Sequence, residues 1–173
     1  MAEKKAAKPG NAINLLDDLI RRRDEDRQRV KTAVKVIDGV SLPVERNLMG
    51  LYRWYMHPAL PNLALRNCLF WIQEIPPGSR SGKQKAQGGR IHLVLEGKGH
   101  TVLEGVSHEW EKGDMILIPL KPHGTEYQHF NDDTKHWAKF IAVEPNWCDA
   151  LGVDLGAGFE IVDPSPDYQT TGK

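Results

Sequence analysis

The stretch EKGDMILIP, residues 111–119, joins turn residues directly to a short apolar run. Gly113 and Asp114 have the chemistry of a turn, and Met115–Ile118 consists of aliphatic side chains that suit a strand. Pro119 cannot donate a hydrogen bond to a sheet and therefore favours a strand end. The stretch predicts a hairpin turn followed by a β-strand, which is a unit of an all-β fold.

Similar units lie on both sides of this stretch. The predicted strands are Gly50–Met56, Asn67–Ile75, Arg90–Leu95, Thr101–Leu103, Met115–Ile118 and Lys135–Val143. Gly97 and Gly99, on either side of Lys98, predict another hairpin, because glycine takes a positive φ without strain. Many short strands with such turns are typical of a sandwich or barrel.

The length of 173 residues suits one domain with terminal extensions. We expect a disordered lead at 1–10, a helical extension at 11–35, a barrel at 36–145, and a C-terminal strap and tail at 146–173. The side chains expected in the barrel core or its packed outer face are Phe70, Ile72, Leu93, Val94, Ile116, Ile118, Phe140 and Ile141.

The charge composition argues against two classes of partner. The chain has 23 Lys and Arg residues against 23 Asp and Glu residues, so its formal charge is zero and it offers no strong field for nucleic acid or anionic lipid. No apolar run has the length of a signal peptide or a membrane span. We therefore expect a cytoplasmic protein that binds neither nucleic acid nor membrane.

The glycines and prolines between residues 77 and 131 carry a family resemblance. The segment resembles the two sequence motifs of the cupin superfamily, small β-barrels of the jelly-roll type, over roughly residues 66–143. The resemblance implies an all-β cupin barrel, a double-stranded β-helix, with an N-terminal helical extension. The frame positions that match are Gly78, Gly97, Gly113, Pro119, Gly124 and Asn131.

The positions that hold metal in this family carry other residues here. The resemblance implies that two histidines and a glutamate of the first motif, with a histidine of the second, bind one ion inside the barrel. This chain has Gln84, Ala86, Arg90 and Tyr127 at those positions. Alanine has no donor atom, arginine is permanently charged, and glutamine is a weak ligand. We therefore expect the usual metal site to be lost and no cofactor to be present.

Two nearby histidines leave an alternative open. Strand alternation places His92 on the face of Arg90 and His129 on the face of Tyr127. The resemblance implies that the ligand positions held by Arg90 and Tyr127 point into the barrel, so both histidines are expected to point inward. His92, His129 and Tyr127, with Gln84, could form a displaced metal site. The other interpretation is that these histidines are hydrogen-bonded structural residues.

The polar side chains expected inside the barrel suggest what it binds. The expected ligand-binding residues are Gln84, Arg90, His92, Tyr127 and His129. A buried arginine needs an anion, and no acidic residue is predicted on the inner faces of the motif strands, so a small carboxylate ligand is expected.

Several functions remain open on this basis. One is a binding module or an accessory, regulatory subunit that takes a small organic acid. Another is an enzyme, either a metal-dependent oxygenase that resembles gentisate dioxygenases of aromatic-compound metabolism and uses the displaced site, or a metal-free isomerase or lyase with His92 and Tyr127 as acid and base. The third is a scaffold without a ligand. In each case the aromatic stretch 51–56 is expected to support a homodimer.

Overall fold

The computed structural model describes residues 15–60, 62–87, 89–146 and 159–167. The N-terminal helix, α1, spans Leu15–Thr32, inside the segment predicted to be helical. The lead predicted at residues 1–10 lies outside the described residues. The strands are β1 Glu45–Asn47, β2 Gly50–Met56, β3 Cys68–Ile75, β4 Lys83–Ala86, β5 Arg90–Glu96, β6 Lys98–Leu103, β7 Val106–Glu111, β8 Met115–Ile118, β9 Thr125–Asn131, β10 Ala138–Pro145 and β11 Phe159–Asp163.

The strands form two antiparallel sheets that face each other. The first sheet has six strands in the order β1-β2-β3-β10-β5-β8, and the second has five in the order β11-β4-β9-β6-β7. Val94 and Phe140 of the first sheet pack against Trp110 of the second, and Ile118 of the first packs against Tyr127 of the second. These contacts close a barrel, so the predicted all-β architecture is confirmed.

Two predicted hairpins are wrong. β5 and β6 lie in different sheets, and so do β7 and β8, so the turns at Gly97 and at Gly113-Asp114 are corners at which the chain crosses between sheets. The turn chemistry was identified correctly, because Gly97 has a φ of 89° and Gly113 a φ of 99°. Pairing partners are decided by contacts distant in sequence, which turn residues alone do not encode. A hairpin does form between β6 and β7, two strands of the same sheet.

Strands β1, β4, β7 and β11 were not predicted, because they are short or polar, and β9 was expected only as the strand that carries Tyr127 and His129. In β7, Trp110 is the buried position among otherwise exposed residues, as suits a strand at a sheet edge. β11 falls in the segment 146–173 expected to be a strap and tail, yet it pairs with β4 at the other edge of that sheet. Part of this segment therefore completes the barrel.

The eight side chains expected in the core or the packed outer face are buried or partly buried. Val94, Ile118 and Phe140 are fully enclosed, and the other five are partly exposed on their sheets. The barrel interior also holds many polar side chains. Those of Gln73, Gln84, Arg90, His92, Thr101 and His129 are buried. Polar groups buried this deeply cost free energy unless they are hydrogen-bonded or charge-compensated, and that cost organises the site.

Gly99 is required by close packing. Its neighbours across β6 are Trp110 on β7 and Asn131 on β9. A Cβ at this position would lie 2.0 Å from the carbonyl oxygen of Phe130 and 2.8 Å from the Trp110 ring. A backbone carbonyl in the middle of a sheet cannot move without breaking the pairing around it. β6 can therefore lie this close to β9 only if residue 99 has no side chain.

We therefore expect Gly99→Ala to destabilise the fold by about 3 kcal/mol, the upper end of the range for overpacked sites. Gly89→Ala is the matched control, because its Cβ would meet its nearest atom at 3.7 Å, and it should change stability by less than about 0.5 kcal/mol. Urea unfolding measures both. Equal stability of the two variants would contradict this packing.

Candidate functional site in the barrel interior

The structure brings the five expected site residues together inside the barrel. Gln84 lies on β4, Arg90 and His92 on β5, and Tyr127 and His129 on β9. Residues two apart on a strand share a face, and Gln84 is the register partner of Tyr127. All five are buried.

Arg90 forms the centre of the first half of the site. Its Nη1 donates to Gln84 Oε1 and to Tyr127 Oη, each at 2.6 Å. Tyr127 Oη in turn donates to Gln84 Oε1 at 3.0 Å, and Gln84 Nε2 donates to Tyr52 Oη at 3.4 Å. The guanidinium is therefore hydrogen-bonded to Gln84 and Tyr127, the two polar side chains that share with it the ligand positions of the family pattern.

The expectation that Arg90 lacks a protein carboxylate is wrong. Arg90 Nε donates to Glu144 Oε2, and the two side chains are 2% and 11% exposed. Glu144 lies on β10, two residues beyond the inward-facing Ala142. Extending the predicted strand 135–143 by one residue would have placed Glu144 on the inner face by alternation. The charge of Arg90 is therefore compensated within the chain.

Burial and the ion pair act together on the titrating groups. Burial acts to lower the pKa of Arg90, but Tyr127 and Glu144 raise it by more, so the guanidinium keeps its charge. Burial raises the pKa of Tyr127, and it raises the pKa of Glu144 against the opposing effect of Arg90. Tyr127 is therefore a neutral phenol and not a phenolate.

The metal that this fold family implies does not fit the residues present. The family's ligand positions hold the buried Ala86, which has no donor atom, and Arg90, whose fixed positive charge would repel a cation. Gln84 and Tyr127 use their polar atoms in the hydrogen bonds to Arg90. Within the described residues, no three His, Cys, Asp or Glu side chains are grouped to hold a metal ion.

His92 and His129 form the second half of the site. His129 Nε2 and His92 Nδ1 are 2.6 Å apart, and His129 Nδ1 is 2.7 Å from Thr101 Oγ1. Thr101 also accepts from Trp110 Nε1 at 3.0 Å. These contacts occupy three of the four ring nitrogens, so in this arrangement the pair does not present the ligand set of the displaced metal site.

Both histidines are neutral in this environment. Burial lowers the pKa of His129 to about 3, with a further contribution from the charge of Arg90. Burial, His129 and Arg90 together place the pKa of His92 well below its usual 6.5. Each ring therefore carries one proton, and one proton is shared in the contact between them.

Sequence reasoning missed several residues of the site. Tyr52 and Trp71 belong to strands that were predicted, but their inward direction depends on how the two sheets face each other. Thr101 matters because β6 places it beside His129, and Trp110 because β7 places it beside Thr101. No spacing in the sequence indicates either contact.

Comparison with known proteins establishes the fold. No family model and no curated protein matches the chain. Among solved structures, the polyketide cyclase RemF from Streptomyces resistomycificus is 17% identical with a TM-score of 0.57, over 78% of this chain and 89% of that one. A predicted oxalate decarboxylase from Thermotoga maritima is 23% identical with a TM-score of 0.53, over 64% and 97%.

A Cupin 2 conserved barrel domain protein from Salinispora arenicola is 20% identical with a TM-score of 0.50, over 64% of this chain and 86% of that one. This protein and the two above share one architecture with the chain described here. The chain therefore has the cupin fold, as its glycine and proline frame predicts. None of the described residues forms a helix long and apolar enough to cross a membrane.

Because the two histidines are held neutral, we expect the fold to lose stability in mild acid. Their folded pKa values lie below the unfolded value of about 6.5, so the unfolded chain takes up more protons as the pH falls below it. At about 1.4 kcal/mol per proton and pH unit, we expect the two histidines to lower the free energy of unfolding by about 4 kcal/mol from pH 7 to pH 5. The raised pKa of Glu144 acts in the opposite direction and makes the fall smaller.

Urea unfolding at several pH values measures this dependence. His129→Gln should remove about half of it, because one of the two buried titrating groups is gone. His108→Asn is the control, because His108 is exposed, and should leave the curve unchanged. A wild-type curve that is flat between pH 5 and pH 7 would show that the histidines are not held neutral.

Proposed function

We propose that this chain is a metal-independent cupin that binds a small organic molecule in its barrel. The observation that carries the proposal is the position of Arg90, whose guanidinium is hydrogen-bonded to Gln84 and Tyr127 at former ligand positions. A fixed organic cation takes the place of a metal ion, and Glu144 balances its charge. Such a centre can orient a polar ligand but supplies no redox chemistry.

The charge balance of the interior decides which form of ligand fits. Arg90 and Glu144 cancel, and both histidines are neutral, so a bound carboxylate would be an uncompensated buried charge. The small organic acid expected from the sequence therefore enters as its neutral acid, or replaces Glu144 at the guanidinium after Glu144 is protonated. In both cases binding takes up one proton, and an uncharged carbonyl compound avoids this requirement.

A cavity of about 390 Å³ lies at the seam between the two sheet edges, β7 and β8. Leu103, Met115, Ile116 and Leu117 give it mainly apolar walls, and it reaches Thr101. Ile116 is the register partner of His92 on β5. The cavity therefore reaches from the surface to Thr101 and Ile116, the neighbours of His129 and His92, and its size suits a small ligand.

A second candidate is a metal-free enzyme that uses acid–base chemistry, with His92 as the group that touches the substrate. The hydrogen-bonded pair of His92 and His129 favours it, because a second imidazole can hold the first in one tautomer. The cyclase RemF, which has the same fold, is described as a polyketide cyclase. The hydrogen-bonded histidine pair makes proton transfer on a small carbonyl compound the reaction class to test.

We also propose that the protein is a homodimer, through a surface other than the one expected. Within the stretch 51–56, Leu51 and Tyr52 are buried in their own barrel. The outer faces of β5 and β8 instead expose Ile91, Met115 and Leu117, at 42%, 58% and 61%. Light scattering should show a dimer at micromolar concentration, and Leu117→Lys should weaken it. A monomeric wild type would contradict this proposal.

Metal titration tests the central proposal. The unaltered protein, purified without chelator, should contain no stoichiometric metal and should bind Mn²⁺ or Fe²⁺ weakly. The double variant Gln84→His with Ala86→His should not bind tightly, because Arg90 still repels the ion. Addition of Arg90→Glu and Tyr127→His removes this charge and completes four ligands, so binding should then tighten by at least about a hundredfold, or ~2.7 kcal/mol.

Isothermal titration measures the series, and circular dichroism shows whether each variant is folded. Glu126→Gln is the control for a loss of charge, since it removes an exposed ion pair with Lys83. Tight binding by the wild type, or equal binding by the folded double and quadruple variants, would refute the role given to Arg90.

A further inference from the structure

A continuous chain of hydrogen bonds runs from Trp110 through Thr101 and His129 to His92. The successive distances are 3.0 Å from Trp110 Nε1 to Thr101 Oγ1, 2.7 Å from Thr101 Oγ1 to His129 Nδ1, and 2.6 Å from His129 Nε2 to His92 Nδ1. All four side chains are buried. The direction of each bond can therefore be worked out from the donors and acceptors present.

The direction is decided at Thr101. An indole N–H can only donate, so Thr101 Oγ1 accepts from Trp110. The hydroxyl proton of Thr101 then needs an acceptor, and among the described residues His129 Nδ1 is the one that contacts it. Thr101 therefore donates to His129, and Nδ1 of His129 carries the lone pair.

The same reasoning passes through the two rings. A neutral imidazole with its lone pair on Nδ1 has its proton on Nε2, so His129 donates from Nε2 to Nδ1 of His92. The proton of His92 must then be on Nε2. Trp110 and Thr101 thus determine the tautomer of a histidine two hydrogen bonds away.

The last group in this chain of hydrogen bonds, His92 Nε2, has no partner within the part of the protein that the structure describes. His92 Nε2 is buried and makes no hydrogen bond to any described residue. A buried donor without an acceptor costs about 1–3 kcal/mol, so the fold keeps an N–H whose acceptor has to be supplied from elsewhere. The His92 ring lies next to the rings of Trp71, Tyr127 and Phe140, and the register partner of His92 on β10 is the small Ala142.

We infer that His92 Nε2–H is the group that orients the ligand, and that the ligand presents a carbonyl or carboxyl oxygen beside an apolar or aromatic body. This inference rests on the proposed binding function and narrows it to a class of ligand. The oxygen accepts from His92, and the body packs on the surrounding aromatic rings. Thr101 and Trp110 are positioning residues, because they act on the ligand only through the two histidines.

The opposite tautomer would reverse the chemistry. If His129 donated from Nδ1 to Thr101, His92 would donate from Nδ1 and present a lone pair at Nε2. The site would then select a ligand that donates a hydrogen bond, such as an amine. The position of one proton therefore separates the two ligand classes.

NMR of protein labelled with ¹⁵N-histidine reads that position directly. We expect both His92 and His129 to have a protonated Nε2 and an unprotonated Nδ1 at pH 7. Thr101→Val should abolish the single tautomer, because it removes the hydroxyl donor with little change of shape, and Thr101→Ser should restore it. Thr125→Val is the matched control. Buried Thr125 donates to the Pro119 carbonyl and takes no part in the chain of hydrogen bonds from Trp110 to His92.

Small aromatic probes at millimolar concentration then test the ligand class. Acetophenone carries a carbonyl, benzoate a carboxylate, aniline an N–H donor, and styrene no polar group. Acetophenone should shift the His92 Nε2–H signal, whereas aniline and styrene should not. Benzoate should do so increasingly as the pH is lowered, and this separates an acid bound with a proton from a neutral carbonyl.

Each outcome decides for or against the inference. A protonated Nδ1 on His92, a signal that no carbonyl probe moves, or an equal response to aniline would overturn it, and the second result would mean that the N–H is satisfied by water alone. If Thr101→Val loses the acetophenone response and Thr101→Ser keeps it, the result would support the role of Thr101 in fixing the tautomer of His92. Failure of the metal-free proposal would appear separately, as tight metal binding by the wild type.

Discussion

The burial of one arginine is the constraint on which the interior depends. A guanidinium inside a barrel must have a counter-charge and acceptors for its N–H groups, because the cost of leaving it unpaired exceeds most other terms in the fold. Glu144 supplies the charge, and Gln84 and Tyr127 supply the acceptors. The three strands β4, β5 and β9 and the end of β10 are thereby held in one arrangement.

The same charge shapes the other half of the barrel. Arg90 acts with burial to keep His92 and His129 neutral, and neutral rings can pass a defined hydrogen-bond direction from one to the next. The barrel therefore contains a charged, internally satisfied cluster beside a chain of neutral hydrogen-bonded side chains, which ends in a donor without a partner among the described residues. Rigid support on one side and a directed polar group on the other are what a small-molecule site requires.

Local sequence patterns were sufficient for some elements and insufficient for others. β2 and β8 have the predicted bounds, because alternation and turn residues define them locally. The corners at Gly97 and Gly113 were taken for hairpins, because a turn residue reports the local φ and not the sheet to which the next strand belongs. β7 was not predicted, because Trp110 alone among its residues is buried and the strand therefore lacks an alternating apolar pattern.

The sequence by itself determined the all-β class, and its resemblance to the cupin motifs implied that Gln84, Ala86, Arg90 and Tyr127 stand at metal-ligand positions and that His92 and His129 point inward. The class follows from turn residues and short apolar runs, and the inward directions follow from the resemblance together with the period of two along each strand. Tertiary structure alone decided that Glu144 compensates Arg90 and that Thr101 and Trp110 direct the histidines. Both depend on pairs 54 and 28 residues apart in the chain, Arg90 with Glu144 and Thr101 with His129, which meet only when the strands pair and the barrel closes.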